Sequence, residues 1–114
     1  MSNNNQWTSI CDASDLISNI GVCAQINGKQ IAIFQLEANG TTSLYGIDNQ
    51  DPFSGSNVLS RGLVGDLKGH DVVASPIYKQ HFDLSTGKCL EDDSVTLKVY
   101  SVRSNEGKIE VAAQ

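Results

Sequence analysis

Five side chains in this sequence could bind a transition metal or act as nucleophiles and bases. They are three cysteines and two histidines: Cys11, Cys23, His70, His81 and Cys89. Thiolate and imidazole ligands preorganise a metal site when they lie close in sequence, as in Cys-x-x-Cys or His-x-x-x-His pairs. None of the five residues has such a neighbour. We therefore predict that the cysteines are small buried apolar side chains and that His70, in a predicted turn, is solvated.

Two proline-containing stretches carry more information than these scattered residues. The first reads Asp51-Pro52-Phe53 and the second reads Ser75-Pro76-Ile77-Tyr78. Asp51 offers a hard oxygen and Ser75 a neutral hydroxyl, while the ring of Phe53 has no donor atom and the phenol of Tyr78 is a weak ligand. Neither stretch supplies the soft ligands that iron–sulfur chemistry needs.

The two stretches resemble the ligand loops of a Rieske iron–sulfur domain, which carry Cys-Pro-His and Cys-Pro-x-His. Residues of a different chemistry occupy all four ligand positions: Asp51, Phe53, Ser75 and Tyr78. The likeness continues through Phe82-Asp83 and extends over the chain from about Trp7 to Val111. A Rieske cluster is held by two thiolates and two imidazoles. The resemblance therefore implies an all-β Rieske-like domain whose cluster-binding-like loop subdomain carries no cluster.

Residues 48–55, 60–62 and 75–84 are more closely similar to the small subunits of bacterial assimilatory NAD(P)H-dependent nitrite reductases. That resemblance implies a non-catalytic subunit of a cytoplasmic enzyme that reduces nitrite to ammonium in nitrate assimilation. It implies no cofactor on this chain, with FAD, sirohaem and an iron–sulfur cluster on the large subunit, which is then the partner. The polar residues nearest the two loops are the candidates for contact with that partner: Arg61, Lys79, Gln80 and His81.

Other interpretations stay open at this point. The chain could be a stand-alone interaction or small-molecule-binding module on a reused scaffold, because fold does not fix function. An electron-carrying [2Fe-2S] ferredoxin is the less favoured alternative, since the ligands are missing. Arg61 and Lys79 could equally be ordinary solvated charges, and His81 could form a structural hydrogen bond at the start of a strand.

A cluster that links two loops contributes folding energy, so its loss must be offset. Phe53 and Tyr78 each replace an imidazole with a planar ring, and we predict that the two rings pack against one another. Asp51, Ser75 and the Tyr78 hydroxyl are predicted to form hydrogen bonds across the same gap. This hypothesis describes a metal-free plug between the loops.

The elements that position these loops are predicted to be short antiparallel strands of a Rieske-like sandwich or barrel. Ile20 to Ile26 alternates apolar residues, Asn27-Gly28 favours a tight turn, and the apolar return strand 30–36 suggests cover on both faces. Further strands are predicted at residues 44–48, 63–67, 71–75, 95–100 and 108–111. The only predicted helical turn is at residues 12–17, where Asp12 could be the cap.

Length and charge limit the remaining possibilities. A chain of 114 residues suits one domain, which we place at residues 7–112 after a disordered N-terminus of residues 1–6. A net charge of -5 without a Lys/Arg cluster argues against nucleic acid and membrane partners. Three unpaired cysteines and the lack of a signal-like start favour the cytoplasm.

Overall fold

The structure, a computed structural model, describes residues 7–67 and 69–112, so the predicted disordered segment 1–6 lies outside it. The described residues form nine strands: β1 Trp7–Asp12, β2 Val22–Ile26, β3 Lys29–Ala38, β4 Thr41–Asp48, β5 Leu63–Leu67, β6 His70–Ala74, β7 His81–Asp83, β8 Val99–Asn105 and β9 Lys108–Ala112. Two 3₁₀ turns, Ala13–Asp15 and Leu59–Arg61, complete the secondary structure. No helix in these ranges is long or apolar enough to span a bilayer.

The strands form two antiparallel sheets. The larger sheet has six strands in the order β1-β9-β8-β4-β3-β2, and the smaller has three in the order β5-β6-β7. The predicted first hairpin is confirmed, because Ile26 pairs with Lys29 and the two turn residues Asn27 and Gly28 have φ of 51° and 81°. Asparagine and glycine tolerate this left-handed region, so the turn is encoded locally.

Strand β3 separates two clusters of buried apolar side chains, as its near-continuous apolar sequence predicts. Ala32 and Phe34 belong to one cluster, which reaches the three-stranded sheet through Val73 and Phe82. Ile31 and Ile33 belong to the other, which includes Leu16, Tyr100, Ile109 and Val111. Successive side chains of a strand point to opposite faces, so covering both faces of β3 requires apolar residues at consecutive positions.

Three local predictions were wrong. Residues 95–98 form no extended strand; their pairing is limited to an isolated antiparallel bridge between Lys88 and Thr96. The alternation of Val95, Leu97 and Val99 with polar residues predicts that these three share a buried face, but Val99 is 39% exposed at the start of β8. Strand β1 was not predicted, and Ile20 lies before β2 rather than within it. Strand β1 pairs with β9 near the other end of the chain, and a local pattern does not reveal such a partner.

Two loops at one end of the small sheet contain the degenerate ligand positions. The first follows β4 and leads to the turn Leu59–Arg61, and the second connects β6 to β7. Gly62 holds the first connection close to the second, because a Cβ at this position would overlap the carbonyl oxygen of Ala74. The close approach requires glycine here.

Candidate functional site

The two loops repeat one local design. In each loop the first side chain accepts a hydrogen bond from the N–H two residues later: Phe53 N to Asp51 Oδ1 at 2.8 Å, and Ile77 N to Ser75 Oγ at 3.2 Å. The carbonyl of the same residue accepts the N–H four residues later, from Gly55 at 2.7 Å and from Lys79 at 3.1 Å. Short polar side chains stabilise such turns without any metal.

A direct hydrogen bond joins the two loops. Ser75 Oγ donates to Asp51 Oδ2 at 2.5 Å, and both residues are completely buried. Each side chain thus uses one interaction to shape its own turn and one to hold the opposite loop. The predicted polar contact between Asp51 and Ser75 is therefore present, and it occupies the two positions where a Rieske domain has thiolates.

The aromatic half of the predicted plug is wrong. Phe53 does not pack on Tyr78; it lies against Phe82 with ring centroids 6.3 Å apart and contributes to the core. Tyr78 is 58% exposed, and no hydrogen bond of its hydroxyl is seen within the described ranges. Phe53 is two residues after Asp51, whereas Tyr78 is three residues after Ser75, so the same turn directs the two rings differently.

Asn49 is a buried hub that the sequence did not single out. Its side chain is fully hydrogen-bonded: Nδ2 donates to Gln30 Oε1 at 3.0 Å and to the Asn57 carbonyl at 3.2 Å, and Oδ1 accepts from Ser60 N at 2.7 Å. A buried amide with all partners satisfied fixes the geometry of the loop around it. No sequence signal marks this asparagine, because its partners lie in β3 and in residues 57–60.

His81 forms the structural contact that was the alternative to partner binding. Its Nδ1 lies 2.6 Å from Glu91 Oε2, and its backbone N–H donates to Glu91 Oε1 at 2.7 Å. Burial alone would raise the pKa of Glu91, but these hydrogen bonds and the nearby imidazole lower it below its ordinary value. The two contacts clamp the end of the second loop to residues 90–91.

Of the other three partner candidates, Arg61 and Lys79 are exposed and Gln80 is only partly exposed. Arg61 is exposed at the end of its 3₁₀ turn. Lys79 is exposed with φ of 68°, and its ammonium donates to the Pro76 carbonyl at 3.2 Å. The carbonyl oxygen of the Gln80 side chain is buried, and no partner for it exists within the described ranges. Leaving a buried acceptor without a hydrogen bond costs about 1–3 kcal/mol, so a donor that reached this oxygen would be stabilising.

His70 and the cysteines differ in part from their predicted roles. The His70 side chain is half exposed, but it is not free in solvent, because its Nδ1 lies 2.8 Å from Asp83 Oδ2. Burial would raise the pKa of Asp83, yet hydrogen bonds from Ser85 and Thr86 and the nearby histidine lower it. Cys89 is buried as predicted, Cys11 is half-buried and Cys23 is exposed. Burial raises the pKa of all three thiols, which makes them less nucleophilic.

This arrangement does not fit a Rieske cluster. Asp51 and Ser75 are bonded to each other, Phe53 points into the core, and Tyr78 is exposed at the surface. Cluster ligands would need two thiolates facing two imidazoles across a gap. Elsewhere in the described residues, no group of three or more His, Cys, Asp or Glu side chains could hold a metal ion.

Known proteins resemble this chain in sequence and in structure. Residues 6–112 match the family model of the Rieske-like [2Fe-2S] domain. The nitrite reductase (NADH) small subunit of Salmonella typhimurium is 41% identical over 93% of this chain and 96% of that protein. A crystal structure from Mycobacterium tuberculosis, assigned as an NADH-dependent nitrite reductase small subunit, has 42% identity and a TM-score of 0.91 over 98% of both chains.

In a further relative, the segment similar to this chain is part of a longer polypeptide. The nitrite reductase [NAD(P)H] large subunit of Klebsiella oxytoca is 35% identical over 95% of this chain, which corresponds to 11% of that protein. The resemblance inferred from the two loops is thus confirmed over nearly the whole chain. This chain belongs to the family of NAD(P)H nitrite reductase small subunits, which have a Rieske-like fold.

Proposed function

We propose that this chain is the non-catalytic small subunit of a cytoplasmic nitrite reductase that reduces nitrite to ammonium with electrons from NAD(P)H. It associates with a large subunit that carries FAD, sirohaem and an iron–sulfur cluster. The observation that carries the proposal is the buried hydrogen bond between Ser75 and Asp51, which links the loops where a redox centre would otherwise do so. The two loops keep their Rieske-like arrangement without a redox centre, and we infer that they serve as a binding surface for the large subunit.

The Klebsiella oxytoca relative supports association with a large subunit. In that protein a segment matching this chain is part of a polypeptide named as the large subunit. A segment joined covalently to another has a high effective concentration near it. Separate chains of the same kind need a noncovalent interface to reach the same arrangement.

The surface around the second loop is the proposed contact with the large subunit. Ile77 and Tyr78 are 40% and 58% exposed. Lys79 lies in the same loop, and Arg61 is two residues before Leu63, which pairs with Ala74 at the start of that loop. Exposed aromatic residues and arginine are the residue types that most often anchor protein interfaces. The buried carbonyl of Gln80 would gain a hydrogen-bond donor if the large subunit supplied one, whereas His81 acts by holding the loop in place.

Expression of the large subunit with and without this chain tests the proposal. We expect the two chains to co-elute in size-exclusion chromatography and NAD(P)H-dependent nitrite reduction to fall when this chain is omitted. The purified chain should show no visible absorption from a Rieske cluster. Equal activity in both preparations, together with separate elution, would remove the proposed function.

Substitutions in the second loop test whether it forms the contact with the large subunit. Lys79→Glu and Tyr78→Ser are expected to weaken association, because both side chains are exposed on the second loop. Lys88→Glu is the matched control, since Lys88 is also an exposed lysine but follows β7 in another loop. Equal binding by all three variants would place the interface elsewhere on the chain.

A further inference from the structure

The outer edge of β5 is unpaired. Strand β5 is the terminal strand of the three-stranded sheet and pairs only with β6. In β6, Asp71 O accepts from Leu84 N and Ser75 N donates to Gln80 O, so odd-numbered residues of this segment face β7. The even-numbered Val72 and Ala74 therefore face β5, where their partners are Gly65 and Leu63.

The residues between these partners have outward backbone groups. Because N–H and C=O groups alternate in direction along a strand, those of Val64 and Asp66 point away from β6. No backbone hydrogen bond outside the sheet involves either residue in the part of the chain that the structure describes. An unprotected edge of this kind is a template for an added strand.

A groove of about 310 Å³ runs beside this edge. Val64, Gly65 and Asp66 form its near wall. Its far wall comes from the β3–β4 hairpin and includes Leu36, Ala38 and Thr41. A Cβ added at Gly65 would meet no atom within 4 Å, so the sheet face at this position is uncovered beside the unpaired edge.

The groove is acidic. Three carboxylates line it, those of Glu37, Asp66 and Asp71, and no lysine or arginine does so among its described residues. Asp71 accepts a hydrogen bond from the Tyr45 hydroxyl at 2.9 Å, and Glu37 has only weak contacts with hydroxyls at 3.4 and 3.5 Å. Asp66 has no hydrogen bond or ion pair with another described residue. Its charge is available to a partner.

We propose that the β5 edge binds an extended, basic segment of the large subunit as an additional strand. This inference rests on the proposed function. Backbone groups of the segment would pair with those of Val64 and Asp66, and its lysine or arginine side chains would enter the acidic groove. The edge begins beside the proposed loop contact, since β5 starts at Leu63, which is 78% exposed two residues after Arg61.

A second copy of this chain is the less suitable occupant. Pairing two β5 edges would bring the acidic grooves of both copies together, and like charges placed opposite one another destabilise a strand pair. Asp66 thereby protects the edge from self-association while favouring a basic segment. Charge selects between the two possible occupants.

Substitution of Asp66 tests the inference. Asp66→Pro removes an outward N–H that the fold itself does not use, so the variant should fold but lose strand pairing. Affinity for the large subunit is expected to fall about tenfold or more. Asp66→Ala is the matched control, because it removes the charge and keeps the N–H. It should weaken binding only about twofold to fivefold, and more at low salt than at high salt.

Hydrogen exchange of the unmodified complex provides a second measurement that does not depend on a variant. The amides of Val64 and Asp66 are expected to exchange at least about tenfold more slowly in the complex than in the free chain. The edge inference alone is overturned if Asp66→Pro binds the large subunit as tightly as the wild-type chain does. It is also overturned if the wild-type chain binds but the amides of Val64 and Asp66 gain no protection. Failure of the wild-type chain to bind the large subunit overturns the proposed function and this inference together. Concentration-dependent dimerisation that Asp66→Pro abolishes would show that a second copy is the occupant.

Discussion

Replacing Ser75 with alanine tests whether the hydrogen bond between the loops substitutes for a metal link. The substitution removes the hydroxyl that donates to Asp51 Oδ2 at 2.5 Å and that accepts from Ile77 N at 3.2 Å. Both Ser75 and Asp51 are completely buried, so water cannot replace the lost donor without opening the site. The protein should fold with the two loops less firmly joined.

The expected magnitude follows from the unsatisfied acceptor. Leaving a buried polar group without its partner costs about 1–3 kcal/mol, and we expect about 2 kcal/mol here. For a domain of this size, 1 kcal/mol shifts the unfolding midpoint by roughly 4 °C, so the midpoint should fall by about 8 °C. Removal of both partners in Asp51→Ala/Ser75→Ala should cost less than the sum of the single substitutions, because neither member of the Ser75–Asp51 pair is then left buried without the other.

Thermal and urea unfolding followed by circular dichroism measure these changes. Ser94→Ala is the matched control, since Ser94 Oγ donates to Asp92 Oδ1 at 2.6 Å in an exposed turn. Water can satisfy that aspartate, and the midpoint should change by no more than about 2 °C. If Ser75→Ala and Ser94→Ala had equal effects, or if the two single substitutions at Asp51 and Ser75 were additive, the buried link would not hold the loops.

Two further predictions concern the same region. Phe53→Ala should lower the free energy of unfolding by about 2 kcal/mol because the ring is half-buried in the core, whereas Tyr78→Ala should change it by less than about 0.5 kcal/mol; equal effects in urea unfolding would contradict the assigned packing. The lowered pKa of Glu91 means that its contribution is present above its unfolded pKa and is lost as pH falls through the lower folded value. Glu91→Gln should therefore lose less stability than the wild type between about pH 5 and pH 3, and an unchanged pH profile would refute this.

The loops show how far residue types alone can lead. The two proline-containing loops and the resemblance that continues through Phe82-Asp83 predicted the Rieske-like fold. The residue types at the four ligand positions predicted that the cluster is absent, because thiolate and imidazole donors are identifiable by residue type. The predicted contact of Asp51 with Ser75 also followed, since two short polar side chains at former ligand positions need partners when buried. The pairing of Phe53 with Tyr78 did not follow, because ring direction depends on the turn.

Long-range pairing limited the prediction of the remaining structure. The Asn27-Gly28 hairpin is local, and its sequence predicts it. Strand β1 pairs with β9 across the length of the chain, and the buried amide of Asn49 has partners in β3 and in residues 57–60. Such contacts cannot be recognised from a short stretch of sequence, because residues far away in the chain supply the stabilisation.

By itself, the sequence determined that this protein is an acidic all-β domain that resembles the nitrite reductase small subunits and lacks the ligands of a Rieske cluster. Composition, turn residues and donor types are properties of single residues or short segments, so they are readable without coordinates. Only the tertiary structure decided that Ser75 bonds to Asp51, that His81 is held by Glu91, and that β5 presents an open acidic edge. These features depend on distances between segments that are far apart in the chain, and folding alone brings those segments together.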